Sequence, residues 1–483
     1  MILKIYYSKN VYPYKMKKFI TLILFVCFSV TLFAQTVTSK LNKAFEQFQN
    51  DPQLQSAIAS LYVIDAKTGA VIFDKNSTIG LAPASTQKIF TSTTAYELLG
   101  KDFQYKTAFG LGKEADNTGS ILYIMPSGDP TLGSWRWDNT KEDKVIQRIA
   151  EAVKNTRAKQ FSKVVVDNRG WESETIPGGW IWEDIGNYYG AGAEALNWRE
   201  NQFDLILKSG AAIGDPVQVV ETKPKLYNYN IISYASAAAK GTGDNSFIYL
   251  PLNASTGVIR GTIPVNENQF VVSGAMPSGS GQFTATLLDT LFKAGITTPK
   301  TALIADKYSK DLKVDNNNIT VFYTEYSPSL DSIVYWFLKK SINLYGEALL
   351  KTIAYTKKGE GATDVGVDIV RNFWKEKGLP ETELNIVDGS GLSPLNRVTT
   401  HAQITVLKYA KDQSWFSSFY NALPEYNGMK MKSGTIHAVK GFAGYHTSQN
   451  GEEYIFSFLV NNYNGTSSSL VQKMYKVLDV LKG

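Results

Sequence analysis

The sequence predicts an α+β fold in which one domain is divided by a long β-rich insert. Three observations support this prediction. A strand hairpin followed by a helix lies near the start of the chain, strand-like runs dominate residues 104–325, and helices return from residue 327 before a strand-rich tail. With 483 residues, 43% of them hydrophobic and 19% charged, the chain is long enough for two or three globular domains.

The first 34 residues have the layout of a secretory signal peptide. A basic stretch at residues 16–18 precedes an uncharged apolar run over residues 19–33, and Ala34 offers a small residue for cleavage. The run is shorter than the roughly 20 residues of a spanning helix. An uncleaved anchor is the alternative, and Met16 is an alternative start to Met1. We therefore expect export to the periplasm or cell envelope, with peripheral membrane association left open.

Removal of this leader changes the composition of the remaining chain. Five of the net +6 charges and the only cysteine, Cys27, lie in residues 1–34. The remainder has no basic excess that would indicate nucleic-acid binding, and no thiol for a disulfide, a nucleophile or a metal site. The three histidines, His401, His437 and His446, lack the spacing of zinc peptidases. No Gly-x-Ser-x-Gly pattern supports a Ser-His-Asp triad. We expect no metal and no organic cofactor, and structural roles for the histidines.

The elements follow from periodicity and turn signals in chain order. The N-terminal part predicts a helix over residues 40–50, strands over 60–64 and 70–73 around a Gly-containing turn, and a helix that starts at Ser85 and stops at Gly100. In the insert, the predicted strands cover residues 107–111, 121–124, 164–167, 203–207 and 320–323, and a helix covers 283–294. The tail predicts helices over residues 330–340, 346–355, 365–377 and 470–481, and strands over 441–447 and 454–460.

Four units follow from these elements. They are a leader at residues 1–34, a split domain made of 35–103 and 326–483, an insert domain made of 104–207 and 269–325, and a small β subdomain at 208–268.

A serine and a lysine three residues apart open the helix that follows the hairpin. Ser85 and Lys88 share a helix face at this spacing, so the lysine amine can reach the serine hydroxyl. A neutral lysine can accept the serine proton and thereby activate a nucleophile without histidine. Burial or a nearby cation would have to lower the lysine pKa. Ser-x-x-Lys is common by chance, so this pair alone indicates little.

Two later motifs add to this pair. Ser341 and Asn343 follow an apolar helical run, and a hydroxyl and an amide at this spacing can both face a cleft. The serine could relay a proton and the amide could hold a substrate carbonyl. The short pattern also occurs at residues 8–10 and 448–450.

The third motif is Lys-Ser-Gly-Thr at residues 432–435, which leads into the tail sheet. Lys432 and Thr435 can bind a carboxylate, Ser433 keeps a hydroxyl, and Gly434 lets a substrate backbone lie close to the strand. The backbone N–H groups of Ser85 and Thr435 could form an oxyanion hole. Similar triplets at residues 67–69 and 208–210 lack this place in the order of motifs.

The ordered set resembles the signature of penicillin-binding proteins and serine β-lactamases. The interval of 256 residues between Ser85 and Ser341 is similar to that of the class C low-molecular-weight penicillin-binding proteins, the D-alanyl-D-alanine carboxypeptidase/endopeptidases of the DacB type, which carry a two-part insert there. The resemblance extends over residues 36–483 and includes further segments at residues 128–132, 177–180, 388–393 and 441–445. Pro394 stands where the family commonly has Arg, and Arg397 comes later.

The resemblance implies a penicillin-binding or serine β-lactamase-like catalytic domain that acts on peptidoglycan stem peptides and crosslinks. It implies an acyl-enzyme on Ser85, assisted by Lys88, Ser341, Asn343 and Lys432, with β-lactams as covalent inhibitors. It also implies that Asp184 and Tyr189 meet the amino end of the stem peptide's diamino acid; the alternative is that they are surface or packing residues. Other readings of the same motifs are a β-lactamase or esterase, and a catalytically silent wall-binding protein.

Overall fold

The computed structural model describes residues 37–114, 119–251, 254–309 and 318–483. The predicted leader at residues 1–34 lies outside these ranges. The α-helices, in chain order, are α1 (residues 37–49), α2 (Lys88–Leu99), α3 (Glu142–Asn155), α4 (Trp182–Ile185), α5 (Gly279–Lys293), α6 (Leu330–Lys339), α7 (Asn343–Lys358), α8 (Thr363–Glu376), α9 (Thr400–Lys411), α10 (Phe416–Ala422) and α11 (Ser467–Leu478).

The β-strands, in chain order, are β1 (Ile58–Asp65), β2 (Val71–Lys75), β3 (Lys106–Lys113), β4 (Ser120–Met125), β5 (Lys163–Asp167), β6 (Gln202–Lys208), β7 (Gln218–Lys223), β8 (Asn230–Ser233), β9 (Ser236–Ala238), β10 (Asn245–Tyr249), β11 (Thr256–Pro264), β12 (Phe270–Ala275), β13 (Leu303–Ala305), β14 (Thr320–Tyr326), β15 (Leu384–Asn385), β16 (Arg397–Val398), β17 (Glu425–Tyr426), β18 (Met429–Ile436), β19 (Val439–Thr447) and β20 (Glu453–Asn461).

The two ends of the chain meet in one antiparallel sheet with the order β17-β18-β19-β20-β1-β2. Strand β1 pairs with β20 along its whole length, from Ile58 opposite Asn461 to Asp65 opposite Tyr454. One face of the sheet packs on α1 and α11, and the other packs on a larger helical core around α2, α6, α7, α8 and α9. Because apolar side chains alternate between the two faces, each strand contributes to both cores. The α+β class predicted from the sequence is confirmed.

The insert carries its own sheets. Strands β13-β5-β4-β3-β14 form a five-stranded sheet, which shares a core with α3 and α5. A three-stranded sheet, β12-β6-β7, and a small sheet of β8 to β11 lie farther along the insert. Their shared core includes Phe203 and Val272, which fall outside the predicted subdomain at 208–268. The exact boundaries of the four predicted units stay a prediction.

Most predicted elements lie within two or three residues of strands or helices of the same kind, and two differences matter. Helix α3 was not expected, although Val145, Ile149 and Val153 repeat at the helical period and are buried. Helices α9 and α10 were also not expected. Within the described ranges, no helix combines the length and the apolar character needed to cross a bilayer.

Candidate active site

Ser85 lies in a tight turn directly before α2. A 3₁₀ turn covers Ala84–Gln87, and the α-helix itself begins at Lys88, three residues later than the sequence predicted. Ala84 has a left-handed backbone with φ 46°, which is uncommon for a residue other than glycine. Such strain is concentrated at functional sites because the surrounding structure must hold it in place.

Lys88 is fully buried beside Ser85. Its Nζ donates hydrogen bonds to Ser85 Oγ at 2.9 Å, to Asn343 Oδ1 at 2.6 Å and to the backbone oxygen of Ser390 at 2.7 Å. The amine therefore has a full set of three partners in one fixed geometry. The structure thus brings together the first motif and one residue of the second, which are far apart in the sequence.

Burial lowers the pKa of Lys88 to about 7, while the nearby carboxylates of Asp388 and Glu347 act in the opposite direction. Desolvation disfavours the ammonium form, and the two acids keep the pKa from falling further. Burial, together with the charge of Asp388, raises the pKa of Glu347 to about 8. Near neutral pH, a substantial fraction of Lys88 is consequently the free amine that can accept a proton.

Asp388 organises the loop beside Ser85. It is fully buried, and its Oδ1 accepts hydrogen bonds from the Gln87 side chain at 2.8 Å and the Gly391 backbone at 2.8 Å. Its Oδ2 accepts from Trp180 Nε1 at 2.9 Å and the Ser393 backbone at 2.7 Å. Residues 177–180 and 388–393 were both noted in the sequence, and one carboxylate now joins them to the turn that bears Ser85.

The second motif lies at the start of α7. Ser341 has φ 58° and precedes the helix, whereas Asn343 is its first residue. The Asn343 side chain accepts from Lys88 and donates through Nδ2 to the backbone oxygen of Tyr189 at 2.8 Å. This amide therefore connects the general-base candidate to the insert.

The third motif lies on β18, whose register places Ser433 opposite Phe442 and Gly434 opposite Gly441 on β19. A Cβ at Gly434 would lie 2.5 Å from the backbone oxygen of Pro83 and 2.9 Å from the backbone nitrogen of Ser85. Glycine is required here because the strand passes directly against the turn that carries Ser85.

Lys432 on the same strand is buried, and its Nζ donates to the backbone oxygen of Ser433 at 2.8 Å. The pKa of Lys432 is held well below its usual range, mainly by burial and to a smaller extent by the positive charges of Lys88 and Lys440. A bound anion would oppose the effects of burial and of the two lysines, and would therefore raise the pKa of Lys432.

A cavity of about 530 Å³ connects these elements. Its lining includes most of the predicted site residues, namely Ser85, Asp184, Tyr189, Ser341, Asn343 and Thr435. The lining does not include Lys88, which is the first residue of α2, or three residues of β18, namely Lys432, Ser433 and Gly434. The cavity therefore exposes Ser85, while Lys88 and Lys432 stay out of solvent.

Asp184 and Tyr189 lie together on the insert side of this cavity. Both side chains are half-buried, and both line the cavity. Burial raises the pKa of Asp184 and also that of Tyr189. A half-buried carboxylate beside an aromatic ring is suited to an ammonium group.

The loop after Ser393 shows where the unusual Pro394 lies. Pro394 borders the cavity, whereas Arg397 is exposed and donates through Nη1 to the backbone oxygens of Pro394 and Asn396 at 2.6 and 2.7 Å. Arg397 therefore caps this loop and does not line the cavity.

Sequence reasoning assigned no role to Glu347, Asp388 and Lys440, and it expected only a structural role for His437. Glu347 and Asp388 set the charge around Lys88, His437 lines the cavity, and Lys440 contacts Thr435. Glu347 and Asp388 stood inside segments already noted, which was an available signal. Among the described residues, His, Cys, Asp and Glu form no group of three that could hold a metal ion.

Comparison with known proteins agrees with this geometry. The family model described as D-Ala-D-Ala carboxypeptidase 3 (S13) matches residues 41–425. A D-alanyl-D-alanine carboxypeptidase of Actinomadura sp. (strain R39) is 25% identical over 90% of this chain and 83% of the relative. The D-alanyl-D-alanine carboxypeptidase DacB of Haemophilus influenzae is 22% identical over 92% and 91%.

A solved structure gives the same result for the fold. The crystal structure of penicillin-binding protein 4 (dacB) from Haemophilus influenzae is similar, with a TM-score of 0.74 and 20% identity over 92% of this chain and 98% of that one. The same protein has been solved with a β-lactam bound, at a TM-score of 0.70.

Proposed function

We propose that this chain, a serine-type D-Ala-D-Ala carboxypeptidase that belongs to the D-Ala-D-Ala carboxypeptidase 3 (S13) family, is acylated on Ser85. Its proposed substrates include both stem peptides and crosslinks of peptidoglycan. The observation that carries this assignment is the 2.9 Å contact between Lys88 Nζ and Ser85 Oγ at the edge of the cavity. A lysine with a pKa near 7 at that distance is suited to remove the serine proton.

In the proposed reaction, Ser85 Oγ attacks the carbonyl carbon of the penultimate D-alanine, and Lys88 accepts the hydroxyl proton. The backbone N–H groups of Ser85 and Thr435 stabilise the oxyanion. Asn343 retains one amide hydrogen for the substrate, because the other is donated to Tyr189 O.

The acyl-enzyme then forms as the C–N bond breaks. Ser341 relays the proton that Lys88 took up from Ser85 to the leaving amino group, so terminal D-alanine departs as a neutral amine and Lys88 and Ser341 regain their starting protonation. Water hydrolyses the resulting ester and restores Ser85. Attack at a crosslink releases the amino group of a diamino acid by the same steps.

The substrate's C-terminal carboxylate is proposed to lie near Lys432, Ser433, Gly434 and Thr435. The contact between Lys440 Nζ and Thr435 Oγ1 at the cavity border supports this placement. The predicted leader at residues 1–34 supports action outside the cytoplasmic membrane, in the periplasm or cell envelope.

The test of the nucleophile is labelling by fluorescent penicillin. Ser85→Ala should abolish covalent labelling and the release of D-alanine from a pentapeptide, both followed by mass spectrometry. Ser92→Ala is the matched control, since Ser92 lies on α2, directly after the turn that bears Ser85, and bonds only to backbone oxygens of Lys88 and Ile89. Labelling that persists in Ser85→Ala would contradict the assignment.

We also propose that Asp184 and Tyr189 bind the free amino end of the stem peptide's diamino acid. Asp184→Asn should lower kcat/KM for a diamino-acid peptide by about tenfold, because it removes a partly buried charge partner. It should change acylation by penicillin, which has no such ammonium group, by less than about twofold. Equal losses for both compounds would reject this role.

A further inference from the structure

A lysine outside the three motifs contacts the third of them. Lys440 lies on β19 directly opposite Thr435 on β18, and its Nζ donates a hydrogen bond to Thr435 Oγ1 at 2.7 Å. The Lys440 side chain lies over the Phe442 ring, with Nζ 5.0 Å from the ring centroid. Only 9% of the residue is exposed, so the position of its ammonium group is fixed by packing.

This ammonium group has no carboxylate partner among the residues that the structure describes. Lys440 takes part in none of the ion pairs among the described residues, and within those residues Thr435 is its one hydrogen-bond acceptor. Burying a lysine without an anion is costly. Burial lowers the pKa of Lys440 to about 8, so most of it is still charged at neutral pH. Its charge also contributes to the lowered pKa of Lys432.

The contact dictates how the Thr435 hydroxyl is used. An ammonium group has three donors and no acceptor, so Thr435 Oγ1 must accept from Lys440. The hydroxyl hydrogen is then free to be donated elsewhere. Thr435 is exposed and borders the cavity, so an anion in the cavity is an available acceptor.

We propose that Lys440 is a positioning residue for the substrate's C-terminal carboxylate, because it holds Thr435 as a donor toward the cavity and places a buried ammonium group beside it. The inference rests on the proposed function and extends it to a residue outside the three motifs. It predicts that Lys440 selects for peptides that end in a free carboxylate.

The experiment compares two peptides that differ only at the C-terminus, D-Ala-D-Ala and D-Ala-D-Ala amide. Lys440→Met should raise KM for the free acid by about tenfold, leave kcat within about twofold, and leave kcat/KM for the amide unchanged. Lys440→Arg, which keeps a donor-only cation, should restore KM to within about threefold. Lys430→Met is the matched control, since Lys430 lies on β18 and is near Glu425, away from Thr435.

A second variant keeps the proposal open to refutation if Lys440→Met does not fold. Thr435→Val removes the hydroxyl on an exposed residue and should cause the same loss of discrimination between acid and amide. Parallel losses on both peptides, or unchanged KM in either variant, would overturn the role of Lys440. Absence of D-alanine release by the wild type would instead count against the proposed function, so the two failures are distinguishable.

Discussion

The cavity has a helix side at α2 and a strand side at β18. Each side buries a lysine, and the charged groups near the two lysines have opposite signs. On the helix side, Lys88 is close to the carboxylates of Asp388 and Glu347. On the strand side, Lys432 is close to the cations Lys88 and Lys440, and no carboxylate is among the causes of its lowered pKa. The helix side is therefore electrostatically balanced before substrate arrives, whereas the strand side is not.

This difference suits two tasks. A proton acceptor must exchange its proton near neutral pH, so burial and acidic neighbours together place the pKa of Lys88 at about 7. An anion-binding group gains most when its charge is uncompensated until the ligand binds. We therefore propose that the same residue type is a base on one side and part of an anion site on the other because of its neighbours.

The largest expected effect tests the helix side. Lys88→Ala should slow acylation by penicillin about 1,000-fold, since a general base commonly contributes a factor of 10² to 10⁴. Lys88→Arg should be similarly slow, because arginine keeps the charge and stays protonated. Stopped-flow acylation kinetics would measure both, with Lys101→Ala as a control at an exposed position. A normal rate in Lys88→Arg would show that charge alone is required.

The next effect tests the strand side. Lys432→Ala should raise KM for a peptide with a free C-terminal carboxylate by roughly 30- to 100-fold, because one amine of the proposed anion site is lost. Steady-state kinetics with Lys430→Ala as the control would measure this. If Lys432→Ala instead lowered kcat with KM unchanged, Lys432 would act in the chemical step and the two sides would not differ as described.

The smallest kinetic effect concerns pH. Lys88 must be deprotonated to accept the serine proton, so acylation by the wild type should increase as pH rises through about 7. Asp388→Asn removes a negative charge that raises the pKa of Lys88, and the rise should therefore shift to lower pH. Rates measured between pH 5 and 9 would show it, and a shift to higher pH would contradict the electrostatic account.

Asp388→Asn should also reduce the free energy of unfolding by about 3 kcal/mol, because an amide cannot accept all the hydrogen bonds that now reach this buried carboxylate. Denaturant unfolding would measure the loss. Unfolding must be determined first, so that the pH profile is recorded only where the variant is folded.

Much of this arrangement was predictable from the sequence. The hairpin, the strands of the insert and the tail sheet follow from alternating apolar residues and turn signals, and the order of the three motifs indicated the family. Helix α3 has a regular helical pattern, and it was overlooked because the surrounding insert is rich in strands. The site residues were found as types and spacings, while their roles stay proposals.

What the sequence could not determine is the environment of each charged group. It supplied Ser85, Lys88 and Lys432, because short motifs depend on neighbours in the chain. Only the tertiary structure placed Asp388, some 300 residues away, beside the turn that bears Ser85, and Lys440 against Thr435. A pKa depends on burial and on charges within a few ångströms, and these are set by which distant segments pack together.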